Sequence, residues 1–244
     1  MTLDLVSQPL DPAGSETLEI MSAAPRFNRW QYERIAPYLG RRVCEIGAGI
    51  GNLSELVLAD QRELAVLTDI DPYYREILRE RFSSRPEVRV EGLTLPDAEA
   101  AQHLREYRLD TVFALNVVEH IEDDLGALRS IAGMLSPGGR VVILVPAFQA
   151  LYGSLDRELG HFRRYTRRSL TAVMQAAGFR MERAFYFNAI GCLAWWWNGR
   201  VRRIARIPVG QLRSFDRLVP LLRVEDAISL PVGQSVIGIG RLCS

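Results

Sequence analysis

Three alternating glycines with an acid in front of them form the most distinctive chemical pattern in this sequence. Gly47, Gly49 and Gly51 lie in "EIGAGIGN", and Glu45 stands two residues before the first of them. Small residues at such a turn let a ligand lie against backbone N–H groups. The spacing departs from the G-x-G-x-x-G of dinucleotide sites, and a carboxylate would repel a pyrophosphate. The pattern predicts a ligand that carries an ammonium and a sulfonium. The alternative is a tight turn from strand to helix in which the glycines serve packing alone.

A second acid follows 22 positions after Gly47, at the end of another apolar run. Doubly wound nucleoside-binding proteins place a carboxylate here, where it accepts hydrogen bonds from both ribose hydroxyls. We therefore expect Asp69 to bind a ribose. Asp71 is expected to cap the helix that begins at Pro72 instead.

The elements that position these residues alternate between strand and helix patterns. Apolar runs such as "RVCEI", "LAVLTD" and "RVVILVPA" are each preceded or followed by segments of helical periodicity. This series predicts an α/β, doubly wound, mostly parallel sheet with right-handed crossovers, which a last run, "QSVIGIGRL", would close. Residues 28–188 and 231–244 would form the cofactor-binding core. Residues 1–27 would be an extension and candidate lid, and residues 189–230 an insertion that is a candidate cover for an acceptor.

Four stretches, in order, resemble the class I S-adenosylmethionine-dependent methyltransferases. They are "VCEIGAGIGNLSELV", "LTDIDP", "LDTVFALNVVEHIEDD" and "LSPGGRVVILVPA". The resemblance extends from about residue 30 through the last strand and implies a Rossmann-like sheet of seven strands with the last one antiparallel. It also implies methyltransferase activity with S-adenosylmethionine as the cofactor and S-adenosylhomocysteine as the product.

The resemblance further implies a set of cofactor contacts. The acid and the glycines would surround the methionine portion, Ile70 would cover the adenine or be an ordinary core residue, and Asn116 would lie beside the cofactor. The family's acid for the adenine amino group is missing, and its place falls near Leu93 or Thr94. The cofactor-binding residues implied in this way are Glu45, Gly47, Gly49, Gly51, Asp69, Ile70, Leu93, Thr94 and Asn116.

Histidine is the side chain best suited to remove a proton from an acceptor near neutral pH. His103 lies in a charged helix pattern and is expected to be solvated. His120 follows the fourth strand and His161 lies after the fifth, and both are candidates for the catalytic base. The alternatives are that His120 only packs against the loop beside the cofactor, and that His161 only forms a hydrogen bond with a backbone carbonyl.

No metal is expected. Some relatives bind a divalent ion through E-x-x-E-H after the fourth strand, but the first Glu of that motif is Asn116 here. Magnesium prefers several hard oxygen ligands, and the loss of one carboxylate leaves too few.

The segment "GHFRRYT" and the insertion are the candidate acceptor-binding regions. Tyr152, Arg164 and Tyr165 are expected to grip an anionic acceptor, the alternative being a salt-bridged lid that involves Asp156 and Glu158. The Trp- and Arg-rich insertion could cover a hydrophobic acceptor, contact an anionic membrane as a peripheral protein, or pack on the sheet. These segments resemble a bacterial subgroup of small-molecule methyltransferases.

Composition narrows the function classes. The formal net charge is +1, which does not favour a nucleic-acid partner, and the absence of lysine excludes lysine chemistry. Three unpaired cysteines, no signal peptide and no apolar run of roughly 20 residues indicate a cytoplasmic protein. We expect a methyltransferase for a small-molecule or lipid-like acceptor, at oxygen more than at nitrogen or carbon. An RNA methyltransferase and a non-catalytic S-adenosylmethionine-binding or partner-binding protein are the alternatives.

Overall fold

The computed structural model describes residues 8–10, 18–202, 209–228 and 230–243. Within these ranges seven strands form one sheet in the order β3-β2-β1-β4-β5-β7-β6. Strands β1 to β5 pair in parallel, and β7 lies antiparallel between β5 and β6. The strands are β1 Arg42–Ile46, β2 Leu64–Asp69, β3 Val88–Gly92, β4 Leu109–Leu115, β5 Leu135–Pro146, β6 Phe179–Phe187 and β7 Ser235–Leu242. The predicted doubly wound α/β fold with an antiparallel last strand is confirmed.

Helices cover the sheet and connect its parallel strands. They are α1 Pro25–Ile35, α2 Asn52–Ala59, α3 Pro72–Arg81, α4 Ala98–Arg105, α5 Asp124–Met134, α6 Ser154–Glu158, α7 Arg167–Ala176, α8 Ala189–Trp196 and α9 Val209–Leu222. Short 3-10 turns occur at Ala36–Tyr38, Val118–His120, Gln149–Leu151 and Arg223–Ala227, and a π-helical turn at Trp197–Val201. Asp71 caps α3 by accepting a hydrogen bond from the Tyr73 N–H at 2.9 Å, as its position before Pro72 predicts.

Both faces of the sheet are buried, and the central strands show why. In β4, Val112 and Ala114 belong to one apolar cluster while Phe113 between them belongs to the other. On β1, Cys44 belongs to the first of these clusters and Val43 to the second. A parallel sheet covered on two sides has no solvent-facing side of its own. Polar groups are therefore concentrated where the strands end.

The strand order reverses between β1 and β4, which are neighbours in the sheet. The chain leaves β1 toward β2 on one side and leaves β4 toward β5 on the other, so a crevice forms at their carboxyl ends. The loops after the two strands meet there. A side chain added at Gly47 would lie 2.6 Å from Val117 Cγ2. The topology thus places the glycine turn against the residues that follow β4.

Two further segments approach this edge. The connector, which we define as residues 147–166 between β5 and α7, contains α6 and bonds to the end of β5 through the Tyr165 N–H and the Pro146 carbonyl, 2.8 Å apart. The predicted insertion contains α8 and α9. Among the residues described, no helix combines the length and the apolar character needed to cross a membrane.

Candidate active site

The three glycines form a left-handed turn between β1 and α2. Gly47, Gly49 and Gly51 have φ angles of +71°, +53° and +81°, which L side chains rarely adopt. Gly47 is exposed in the crevice, whereas Gly51 is buried and a Cβ there would lie 2.8 Å from the Phe82 ring. Gly47 therefore offers its backbone to a ligand, and Gly51 allows α2 to pack closely.

Glu45 is buried directly below this turn. Only 5% of the residue is exposed, and Ser54 Oγ donates a hydrogen bond to its Oε2 at 2.6 Å. Burial raises the pKa of Glu45 to about 8, and the negative charge of Asp69 adds to the rise while the Ser54 bond opposes it. A cation above the turn would favour the ionised carboxylate. The arrangement suits the ammonium group that the sequence predicts.

Asp69 ends β2 at the side of the same turn. The Gly49 N–H donates to its Oδ2 at 2.8 Å, and the Asp71 N–H donates to its Oδ1 at 2.9 Å. Burial raises the pKa of Asp69, and these two backbone bonds oppose that rise. Each carboxylate oxygen can accept a further hydrogen bond, so two ligand hydroxyls can be accommodated.

The remaining expected cofactor contacts fall in different environments. Ile70 is 56% exposed, which is unusual for a large apolar side chain at the end of a buried strand. Thr94 is exposed, whereas Leu93 packs into the core. Asn116 is exposed with a φ of +55°, and its N–H donates to the Leu144 carbonyl at 2.8 Å. Ile70, Thr94 and Asn116 are accessible to a ligand, and Leu93 is not.

The N-terminal part of the chain lies against the turn. Leu18 packs on Gly49, since a Cβ at that glycine would be 2.9 Å from Leu18 Cδ1. The Leu10 N–H donates to Asp71 Oδ2 at 2.7 Å. These contacts place residues of the predicted extension next to the candidate ribose position. Most of residues 1–17 of that extension lie outside the described residues.

Two histidines and a glutamate converge where the connector meets the loop after β4. One ligand-type atom each of Glu119, His120 and His161 lies within 4.8 Å of the other two. The His120 and His161 rings are 4.7 Å apart between centroids. The Phe162 N–H donates to the Glu119 carbonyl at 2.9 Å, which fixes the connector to this loop. We call these three side chains the Glu-His-His cluster.

Glu119 is the most deeply buried member of the cluster. It has no exposed surface, and neither carboxylate oxygen has a hydrogen-bond partner among the residues described. Burial raises the pKa of Glu119 to about 8. His120, by contrast, is exposed, so a molecule in the crevice can reach the cluster.

Asp156 holds His161 in place. Its Oδ1 lies 2.9 Å from His161 Nδ1 and also accepts a hydrogen bond from Arg164 Nε at 2.7 Å. Burial alone would raise the pKa of Asp156, but the bonds from His161, Arg164 and the Gly153 N–H hold it at about 2. An ionised carboxylate only accepts hydrogen bonds, so Nδ1 of His161 carries the proton of this bond, and Nε2 is the ring nitrogen that Asp156 does not engage. This is the arrangement that orients a histidine base.

The residues expected to grip an anionic acceptor are engaged within the protein. The Arg164 side chain has no exposed surface, bonds Asp156 and donates to the Ala147 carbonyl at 3.0 Å. Tyr165 is 3% exposed and donates to Asp124 Oδ2 at 2.7 Å. Tyr152 donates to the His161 carbonyl at 2.7 Å. These contacts match the alternative of a salt-bridged segment, in which Asp156 is the partner of Arg164, better than they match a binding site for an anionic acceptor.

Helix α8 lies against the same carboxylate. Trp195 Nε1 donates to Asp156 Oδ2 at 3.3 Å, and the Arg164 guanidinium carbon lies over the indole ring, 4.9 Å from its centroid. Other side chains of the helix point to solvent, with Leu193 69% and Trp196 43% exposed. One face of the helix at the start of the insertion therefore contacts Asp156 and Arg164 beside the cluster, and an apolar face is exposed to solvent.

Sequence reasoning missed the role of Asp156 as the partner of His161. The two residues are five positions apart in "LDRELGH". Neither helical nor strand periodicity brings such a pair together, because α6 ends between them at Glu158. A short-range carboxylate and histidine pair in an irregular connector was the available signal.

Comparison with known proteins identifies the family of this chain. The family described as methyltransferase domain matches residues 20–184. The chain belongs to this family. The predictions of a class I methyltransferase fold and of S-adenosylmethionine as its cofactor are thereby confirmed.

Curated relatives are distant and vary in their acceptors. A tRNA U34 carboxymethyltransferase of Syntrophotalea carbinolica is 27% identical over 69% of this chain and 48% of its own length. A ubiquinone biosynthesis O-methyltransferase of Aeromonas salmonicida is 31% identical over 47% of each chain. This chain thus spans about half the length of these relatives. A solved structure of a SAM-dependent methyltransferase from Archaeoglobus fulgidus has a TM-score of 0.55 at 19% identity, covering 88% of this chain and 94% of that one, and shows the same fold.

Proposed function

We propose that this protein transfers the methyl group of S-adenosylmethionine to an oxygen atom of a small or lipid-like acceptor. The observation that carries this proposal is the Glu-His-His cluster at the edge of the sheet that holds the glycine turn. Asp156, which is buried and ionised, lies outside the cluster and orients its member His161. Hydroxyl oxygen is favoured because it is a weak nucleophile until its proton is removed. A neutral amine can attack first and lose its proton afterwards.

In this proposal the cofactor lies across the carboxyl ends of β1, β2 and β4. Glu45 faces the ammonium group, Asp69 accepts hydrogen bonds from both ribose hydroxyls, and the exposed Ile70 packs on the adenine. Gly47 brings its backbone within contact of the methionine portion, and Thr94 and Asn116 line the remaining rim. The sulfonium group would then face the loop after β4 and the cluster.

The reaction is a displacement at the methyl carbon. The acceptor oxygen forms the C–O bond as the C–S bond breaks, and the electron pair of that bond leaves with sulfur as a neutral thioether. The hydroxyl proton passes to Nε2 of His161, and Asp156 stabilises the resulting imidazolium. The protein's main contributions are to hold the oxygen in line with the methyl group and to keep water away.

An apolar acceptor fits the surroundings of the cluster better than an anionic one. Arg164 is already paired with Asp156, and α8 presents Leu193 and Trp196 to solvent close to the connector. Two curated relatives are named as O-methyltransferases, one of them in ubiquinone biosynthesis. We therefore favour a hydroxylated apolar molecule.

RNA is the second candidate acceptor, because two curated relatives are named as tRNA U34 carboxymethyltransferases. The near-neutral net charge argues against strong nucleic-acid binding. A gel-shift titration with tRNA at low and moderate salt distinguishes the candidates. Salt-sensitive binding that competes with methylation of small molecules would favour RNA.

The test of the proposed function is to incubate the protein with S-adenosylmethionine carrying a ¹³C methyl group and a metabolite extract. We expect one class of apolar component to gain a single labelled methyl whose carbon resonates as a methoxy group. His161→Ala should lower kcat by about 10²- to 10⁴-fold, the contribution of a general base, with unchanged cofactor affinity. His103→Ala is the matched control, since His103 is exposed on α4. Labelled N-methyl or C-methyl products, or full activity of His161→Ala, would refute the proposal.

A further inference from the structure

The Glu-His-His cluster has the composition and spacing of a metal site. Its members offer two imidazole nitrogens and one carboxylate oxygen, all within 4.8 Å of one another. Ligands bonded tetrahedrally to one ion at about 2.1 Å lie roughly 3.4 Å apart, so the widest pair has to close by up to roughly 1.4 Å. Rotation of exposed His120 within its loop can supply much of that movement.

The unpaired carboxylate of Glu119 is the second observation that points to a ligand. A buried polar group without a partner is costly and rare, and a missing ion is one of its ordinary explanations. Glu119 has no exposed surface and both of its oxygens lack a partner among the described residues.

The surroundings of His161 match those of a metal-bound histidine. Such a residue commonly donates its other ring N–H to a carboxylate, which fixes the tautomer and makes the coordinating nitrogen more basic. Asp156 does this at Nδ1, at a distance of 2.9 Å, and leaves Nε2 to bind. Asp156 is itself held by Arg164 and the Gly153 N–H.

We propose that Glu119, His120 and His161 bind one divalent transition-metal ion. Two nitrogens and one oxygen suit zinc, iron or manganese better than magnesium or calcium, which prefer oxygen ligands throughout. Three protein ligands leave open positions for an acceptor or water. The expectation of no metal considered E-x-x-E-H alone, where Asn116 replaces a ligand, whereas here the connector supplies the third ligand.

The ion would add a second way to activate the proposed acceptor. When bound, the ion would make a hydroxyl at one of its open positions more acidic, and the hydroxyl proton would pass to solvent water. Nε2 of His161 then serves as a ligand, whereas in the ion-free protein it takes the proton itself. This consequence rests on the proposed function, but binding of the ion does not require any acceptor.

The test is equilibrium binding of Co²⁺ alone to the full-length protein, followed through its visible absorption and by competition with Zn²⁺. We expect one equivalent to bind to the wild type and to His103→Ala. Glu119→Gln and His161→Ala should each weaken binding at least about tenfold, and Asp156→Asn about 10- to 100-fold. Calorimetry with S-adenosylmethionine shows whether each variant is folded. His120→Ala gives the same test if Glu119→Gln does not fold, because His120 is exposed.

The outcomes separate this inference from the proposed function. Absence of Co²⁺ binding, or binding that is equal in the wild type and in the cluster variants, overturns the metal site while the methyl transfer assay still stands. Loss of binding in His103→Ala alone would also overturn it. Conversely, a protein that binds Co²⁺ at the cluster but methylates no hydroxyl would contradict the proposed acceptor chemistry only.

Discussion

Replacement of Glu45 by Gln tests how the protein recognises the charge of its cofactor. Glu45 is 5% exposed and burial raises its pKa to about 8. Because this pKa lies above 7, most Glu45 side chains carry a proton at pH 7 in the free protein. If the cofactor's ammonium group faces Glu45, the bound state requires the ionised form. Binding at pH 7 should therefore release most of one proton from this residue.

The cofactor contributes a smaller effect of opposite sign. Its α-amino group has an ordinary pKa near 8, so binding as an ammonium takes up about 0.1 proton at pH 7. The wild type should then show a net release of most of one proton from these two groups, whereas Glu45→Gln should release none from this site. The difference between the two proteins, most of one proton, reports on Glu45, because groups that titrate alike in both proteins cancel.

Isothermal titration calorimetry measures this difference directly. The cofactor is titrated in two buffers whose ionisation enthalpies differ, and the change in observed enthalpy gives the number of protons. The affinity advantage of the wild type over Glu45→Gln should also grow as the pH rises toward 8, by at most about tenfold per unit. Equal proton numbers in the two proteins would refute the pairing of Glu45 with the cofactor's ammonium.

Two further substitutions probe the turn and the ribose position. Asp69→Ala should weaken S-adenosylmethionine binding about 10- to 150-fold, because hydrogen bonds to a charged group contribute ~1.5–3 kcal/mol. An unchanged affinity in calorimetry would show that Asp69 does not bind the ribose. Gly47→Ala should lower thermal stability and cofactor affinity, because the residue has a φ of +71° and its Cβ would lie 2.6 Å from Val117 Cγ2. Gly138→Ala is the control, since Gly138 has a φ of +72° but nothing within 4 Å, and should lose only the backbone cost of about 1–2 kcal/mol. Equal losses in the two glycine variants would contradict the contact between the turn and the loop after β4.

The sequence predicts the sheet and the turn because they depend on local patterns. Strands buried on both faces are continuous apolar runs, and β2 is buried at all six of its positions. Glu45 and Asp69 lie at the carboxyl ends of β1 and β2, and the alternating glycines come directly after β1. These positions are fixed by topology, so residue type and order are enough to find them.

The connector could not be predicted in the same way. Its residues have no periodicity that tells which neighbouring side chain faces the interior. Arg164 and Tyr165 come two and three residues after exposed Phe162, yet both are buried. Their direction depends on Asp156 and Asp124, which are contributed by α6 and α5. Tertiary hydrogen bonds of this kind leave no signature in residue spacing.

The central claim is that the cofactor lies over the glycine turn with its sulfur facing the Glu-His-His cluster. A crystal structure of the protein with S-adenosylhomocysteine tests it most directly. We predict that the ribose hydroxyls bond Asp69, that the ammonium lies near Glu45, and that an open path leads from sulfur to His161. A product bound with its ribose away from Asp69, or with its sulfur directed away from the cluster, would contradict the account.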